Sequence, residues 1–250
     1  SDVCSSDLPY FKELSQRVHK HGAALMVQLT HMGRRARWDV GPFLAPVSPS
    51  HVREGEHRTF PKAMEDWDIE RIREDFGAAA RRCREGGLDG IELSYSASHL
   101  IAQFWSPSAN KRTDEYGGSL DNRMRFSLDV LREVRKQVGD DYIVGVRISG
   151  DELKEDGISQ DVALEITKRL AKSGLIDFVN VMQSQGQEYR SLQLMQPNMA
   201  YPMAPFLYLA SAIKAEVDLP IFHATRIVDM ATAARAVGRS DEHTSELQSR

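Results

Sequence analysis

The stretch Tyr142-Ile-Val-Gly-Val-Arg-Ile148 decides how the chain is read. It is apolar almost throughout instead of alternating, the pattern of a strand buried on both faces of a parallel sheet. One arginine, Arg147, interrupts it. Similar runs lie on either side: Ala23-Ala-Leu-Met-Val-Gln-Leu29, Gly90-Ile-Glu-Leu93, Asp177-Phe-Val-Asn-Val181 and Leu219-Pro-Ile-Phe222. Between them the apolar residues adopt a helical period. The spacing predicts helices over Tyr10–Lys20, Asp66–Arg84, Ser119–Val138, Ser159–Lys172, Phe206–Glu216 and Asp229–Val237. Acidic residues open the second of these and Gly86-Gly87 closes it. Ser159 precedes the fourth and Gly174 follows it.

Strand and helix in alternation mean βαβ crossovers and an α/β fold. An open doubly wound sheet competes with a (β/α)8 barrel. The sequence has neither the GxGxxG turn of a dinucleotide-binding sheet nor a P-loop. A barrel needs eight strands and about five are visible, so the expectation is an incomplete barrel lacking strands at both ends. No internal repeat or linker marks a second domain.

The bulk properties exclude other classes. The chain has 250 residues, 41% hydrophobic and 27% charged, enough to bury a core. No apolar run approaches the ~20 residues of a membrane helix. A net charge of −4 gives no electrostatic reason to expect nucleic acid. Two cysteines, Cys4 and Cys83, make neither a disulfide framework nor a four-cysteine metal site, and fit a reducing, cytoplasmic setting. His31 and His99 lack metal-site spacing, so no metal is expected.

The ends read differently from the middle. Residues 1–8 (SDVCSSDL) and 239–250 (RSDEHTSELQSR) show no strand or helix period and no signal-peptide pattern. They resemble in-frame translations of sequencing-adaptor DNA; the alternative is a pair of natural polar tails. On the first reading residues 9–238 are a partial barrel from the middle of a longer protein.

In a barrel the chemistry gathers where strands run into the loops that follow them. Gln28 and Thr30-His31-Met-Gly33-Arg34-Arg35 follow the first strand, and Ser94-Tyr-Ser-Ala-Ser-His99 the second. The third carries Arg147, Ser149 and Asp151, the fourth Asn180 and Gln183, the fifth His223, Thr225 and Arg226. An arginine inside a barrel strand is costly unless an anion or an acceptor cluster meets it. Either a pair with Glu92 or Asp151, or a cofactor contact, accounts for Arg147. The Gln28 amide both donates and accepts, as recognition of a heterocycle edge requires, and equally suits a satisfied core glutamine.

The run Phe104-Trp-Ser-Pro-Ser-Ala-Asn-Lys-Arg-Thr-Asp-Glu-Tyr-Gly-Gly-Ser-Leu-Asp-Asn-Arg-Met-Arg-Phe126 resembles the signature loop of the Old Yellow Enzyme superfamily of NADH:flavin oxidoreductases. Gln28-Leu-Thr-His-Met-Gly-Arg34, Gly87-Leu-Asp-Gly-Ile-Glu92 and Val146-Arg-Ile-Ser149 match in order. The resemblance implies an FMN-binding (β/α)8 barrel in which Gln28 meets the flavin's pyrimidine edge and Arg147 its N1/O2 region. Thr225 and Arg226 would then lie at the phosphate. It also implies a departure. Where ene-reductases of the family clamp a substrate carbonyl with a His pair or His and Asn, followed by a tyrosine, this chain has Ser94, Ala97 and His99. Phe104-Trp105-Ser-Pro and Ile221-Phe-His-Ala-Thr-Arg-Ile-Val-Asp229 look more like the amine-oxidising branch, with trimethylamine dehydrogenase and N-methylproline demethylase relatives.

On that resemblance the expected activity is FMN-dependent oxidation of an N-methylated small molecule, with His99 and Tyr95 as catalytic residues and Tyr95 or Trp105 holding the amine by a cation–π contact. The alternatives are an NAD(P)H-dependent ene-reductase and a non-catalytic barrel remnant. An iron–sulfur cluster, a second dinucleotide and a homo-oligomer are expected only of a longer parent protein. The 250 residues alone are expected to hold FMN weakly and to be inactive.

Overall fold

The computed structural model describes residues 7–36 and 45–241. In chain order the elements are α1 (Leu8–His19), β1 (Met26–Leu29), a 3-10 turn (Gly33–Arg35), β2 (Val47–Ser48), β3 (Lys62–Ala63), α2 (Asp66–Glu85) and β4 (Gly90–Tyr95). Then come α3 (Leu100–Trp105), α4 (Leu120–Val138), β5 (Ile143–Ser149), α5 (Gln160–Lys172), β6 (Phe178–Met182), α6 (Tyr189–Met195), α7 (Leu207–Lys214), β7 (Ile221–His223) and α8 (Met230–Asp241). α1 begins at Leu8 and α8 ends at Asp241, so each takes in part of a terminal run that the sequence pattern leaves outside the fold.

Five strands form one parallel sheet in the order β1-β4-β5-β6-β7, and β2 pairs with β3 separately. Each strand of the main sheet lies beside its successor in the chain. A doubly wound sheet reverses direction part-way; this one does not. Among the described residues it is five consecutive staves of a (β/α)8 barrel wall, with β1 and β7 at its edges.

The helices start and stop for local reasons. Ser119 caps α4 by accepting a hydrogen bond from the Asn122 amide at 3.3 Å, and Gly139 closes the helix at φ +72°, where a side chain would be strained. The Glu65 amide donates to Asp68 at 3.0 Å at the start of α2. Arg135, near the end of α4, fixes the approach to two strands. It donates to the carbonyls of Leu175, Gly139 and Tyr142, and to the Asp177 carboxylate at 2.7 Å. Asp177 in turn accepts from the Val144 amide at 2.7 Å.

Strand alternation sorts side chains to two faces. Ile91, Leu93, Tyr95, Val144, Val146, Ile148, Val179 and Val181 are buried beneath the helices. The other face, the inner wall of the barrel, carries Gln28, Glu92 and Gly145 in one register row. Ser94, Arg147, Asn180 and Phe222 form the next. The Phe178 ring occupies the space a side chain at 145 would fill, and meets Phe222 edge-on at 5.2 Å.

Candidate flavin and substrate site

The site is the C-terminal face of the sheet together with the inner wall just below it. Positive φ in residues other than glycine concentrates in the loops on this face: Ala97 and Ser98 after β4, Leu153 after β5, Ser184 after β6 and Arg226 after β7. Such conformations persist only where the surroundings over-determine them. Here they do. Ser98 accepts from Gln187 at 2.8 Å and donates to Gln185 at 3.2 Å, which ties the β4 loop to the β6 loop. Gln103 donates to the carbonyls of Ser98 and Met32 and accepts from the Arg34 amide, which ties it to the β1 loop. Below them Glu152, fully buried, accepts from Ser106 at 2.6 Å and from the Ile158 amide at 2.8 Å. Burial raises its pKa above the ordinary carboxylate value.

Arg147 stands on the inner wall, half-buried, with no hydrogen bond or ion pair to a described residue; its Nε is buried without a partner. Neither Glu92 nor Asp151 takes it. Gln28 donates instead to Glu92 at 2.6 Å, and Asn180 donates to the other Glu92 oxygen at 2.8 Å. A guanidinium left unpaired in this position fits an acceptor-bearing anionic ligand. The residues present therefore fit the polar edge of a heterocycle such as the pyrimidine ring of a flavin.

His99 enters the same space from the N-terminus of α3. Its Nδ1 lies 2.7 Å from the Thr30 hydroxyl and 3.0 Å from the Ser94 hydroxyl. Burial first, then the positive charges of Arg35 and Arg147, push its imidazole from 6.5 down to about 4. It is uncharged at neutral pH. Thr30 and Ser94 were legible in the sequence as strand-end hydroxyls, but their convergence on His99 was not.

Arg35 donates to the Ala97 carbonyl at 2.8 Å and pairs with Glu56 at 2.7 Å. Glu54, Glu56 and His57 bring three metal-capable atoms within 4.8 Å of one another. Arg35 already brings a positive charge to that cluster, 4.0 Å from Glu54.

Tyr95 and Trp105 are corrections to the expected site. Strand parity turns Tyr95 outward, where its hydroxyl donates to the Ser127 carbonyl of α4 at 3.1 Å. Trp105 donates to the Ser127 hydroxyl at 3.0 Å and meets the Tyr95 ring edge-on at 5.3 Å. Both pack the strand–helix layer and face away from the inner wall. Thr225 and Arg226 follow β7 as expected. The Thr225 hydroxyl donates to Gln183, and Arg226 donates to the Tyr201 carbonyl at 3.0 Å.

Comparison with known proteins agrees with this arrangement. Residues 4–243 match the NADH:flavin oxidoreductase / NADH oxidase family, and the chain belongs to that family. Three relatives are each 48% identical to it. They are an N,N-dimethylglycine/sarcosine dehydrogenase of Chromohalobacter salexigens, a probable N-methylproline demethylase of Rhizobium meliloti and a multifunctional alkene reductase/demethylase of Caballeronia cordobensis. The matches cover 91%, 92% and 92% of this chain and 33%, 34% and 34% of those proteins. The chain thus spans about a third of the length of the curated relatives it matches. Among solved structures, a 2-naphthoyl-CoA reductase superposes with a TM-score of 0.86 at 29% identity, over 94% of this chain and 37% of that one. Histamine dehydrogenase from Rhizobium sp. 4-9 gives 0.78 at 27% identity, over 94% and 34%. Among the described residues no helix is long and apolar enough to cross a membrane.

Proposed function

We propose that the protein is an FMN-dependent oxidoreductase that oxidises an N-methylated amine, as a demethylase or dehydrogenase. The observation that carries this reading is the state of the positions where the family's ene-reductases clamp a carbonyl. Ala97 has no side-chain donor, and its backbone carbonyl accepts from Arg35. The Ser94 hydroxyl is held at His99. Positions 94 and 97 thus offer no pair of ring or amide side-chain donors to polarise an enone. The names of the three relatives at 48% identity support the same reading: one is a dehydrogenase and one a probable demethylase of N-methyl amino acids, and the third names demethylase beside alkene reductase.

FMN, when bound, supplies the two-electron acceptor for a hydride leaving the N-methyl carbon. The chain's own residues prepare that transfer. Gln28 would hold the ring edge, and Arg147 would lie beside it as a positive charge that favours the reduced, anionic ring. His99, neutral and fixed by Thr30 and Ser94, orients the substrate nitrogen without adding charge. Arg35 and Arg147, whose field disfavours the imidazolium, equally disfavour a substrate ammonium and so keep the nitrogen lone pair free. Water then adds to the iminium carbon, and C–N cleavage yields formaldehyde and the demethylated amine. Thr225 and Arg226 are proposed at the phosphate end.

The test is a substrate comparison with the full-length enzyme, that is, this chain with whatever its gene encodes on either side. N-methyl amino acids should support turnover with an artificial electron acceptor, and 2-enones with NAD(P)H should not. Turnover of enones alone would reverse the assignment in favour of an ene-reductase.

A further inference from the structure

The inner wall carries two polar side chains that the reading above leaves unused, Glu92 on β4 and Asn180 on β6. The Glu92 carboxylate sits between two amides. One oxygen accepts from Gln28 Nε2 at 2.6 Å and the other from Asn180 Nδ2 at 2.8 Å. A carboxylate has no hydrogen to give, so both amides must turn their NH2 groups toward it. Their carbonyl oxygens are thereby committed to point elsewhere. Asn180 Oδ1 is buried and without a partner, and Arg147, its register neighbour on β5, has a buried Nε without one. Adjacent staves thus present an acceptor lacking a donor beside a donor lacking an acceptor.

We infer that Glu92 is a positioning residue that fixes the polarity of the cofactor edge, holding the Gln28 and Asn180 carbonyls as acceptors for a ring N–H while Arg147 supplies the donor. The group that satisfies all three is a cyclic imide edge, an N–H flanked by carbonyl oxygens, as in the isoalloxazine pyrimidine ring. The inference rests on the flavin reading and adds what sets the orientation of the amides. Without the carboxylate, either amide is free to flip and offer NH2 where an acceptor is needed.

The experiment compares binding of FMN and N3-methyl-FMN, which lacks the imide hydrogen, to full-length apoenzyme. The wild type should prefer FMN by about tenfold or more, the loss of a hydrogen bond at a fixed acceptor. Glu92→Gln keeps the shape but puts an NH2 beside the two amides, so at least one must flip. The preference should then shrink to about threefold or less. Should that variant fold poorly by circular dichroism, Asn180→Ala removes one acceptor and one of the two donors to Glu92, and should narrow the preference as well. A full preference for FMN in both variants overturns the inference. A wild type that binds neither flavin overturns the flavin reading itself, which is a different result.

Discussion

Two arginines on neighbouring elements, Arg135 and Arg147, should respond oppositely to the same substitution. Arg135 is almost wholly buried and donates to three backbone carbonyls and one carboxylate. At about 0.5–1.5 kcal/mol for each neutral acceptor, and about 1.5–3 for the charged one, Arg135→Met should cost about 3–5 kcal/mol after allowing for solvent at the half-exposed Asp177. At roughly 2–4 °C per kcal/mol for a domain of this size, Tm should fall by about 10 °C. Arg147 holds no acceptor among the described residues, so Arg147→Met relieves a desolvated charge and breaks no described bond. The apoprotein should stay within about 1 kcal/mol of wild type. The loss should fall on the cofactor instead: in the full-length enzyme the flavin potential should drop by about 30–60 mV, a ten- to hundredfold loss in relative affinity for the reduced form. Thermal unfolding of the two variants without flavin, followed by a redox titration of Arg147→Met, reads both effects. If Arg147→Met destabilises the apoprotein as much as Arg135→Met, Arg147 is a structural residue and the reasoning fails.

Other consequences follow from the same geometry. Because His99 stays unprotonated in the fold down to about pH 4 while a free imidazole takes its proton near 6.5, the unfolded chain binds more protons between those values. Stability should therefore decline as pH falls from about 6.5 to 4, by an amount on the order of 3 kcal/mol that His99→Asn abolishes. Urea unfolding at several pH values, with parallel curves for the two proteins as the contrary result, checks this. Tyr95→Phe should leave turnover unchanged and cost about 0.5–1.5 kcal/mol of stability through the lost bond to Ser127; a large fall in kcat would return Tyr95 to the site. Gly145→Ala should destabilise by about 1–3 kcal/mol, since the new methyl meets the Phe178 ring, and calorimetry on the pair measures it.

Much of the barrel was legible in the chain. All five main-sheet strands and the six longest-patterned helices fall within a few residues of the predicted runs, because burial on both faces leaves an unbroken apolar signature. What escaped were elements without a pattern to read: β2 and β3 have two residues each, and α3 and α6 only six and seven. At the candidate site, Gln28 and Arg147 stand out in the sequence because polar residues inside apolar strands are conspicuous, and both lie on the inner wall. Position near a strand end puts Tyr95 at the site, but strand parity turns it away. It is an odd-numbered neighbour of Ile91 and Leu93, and shares their outward face. The convergence of Thr30 and Ser94 on His99, across 69 and 5 residues of sequence, depends on register between strands, which single-strand patterns do not carry.

The measurement that bears most directly on the proposed activity is a single-turnover experiment with the full-length enzyme. Under anaerobic conditions, with no other acceptor, an N-methyl amino acid should bleach the bound flavin and release formaldehyde in an amount equal to the flavin reduced. A flavin that stays oxidised in the amine but, once reduced by NAD(P)H, is reoxidised by an enone would contradict it.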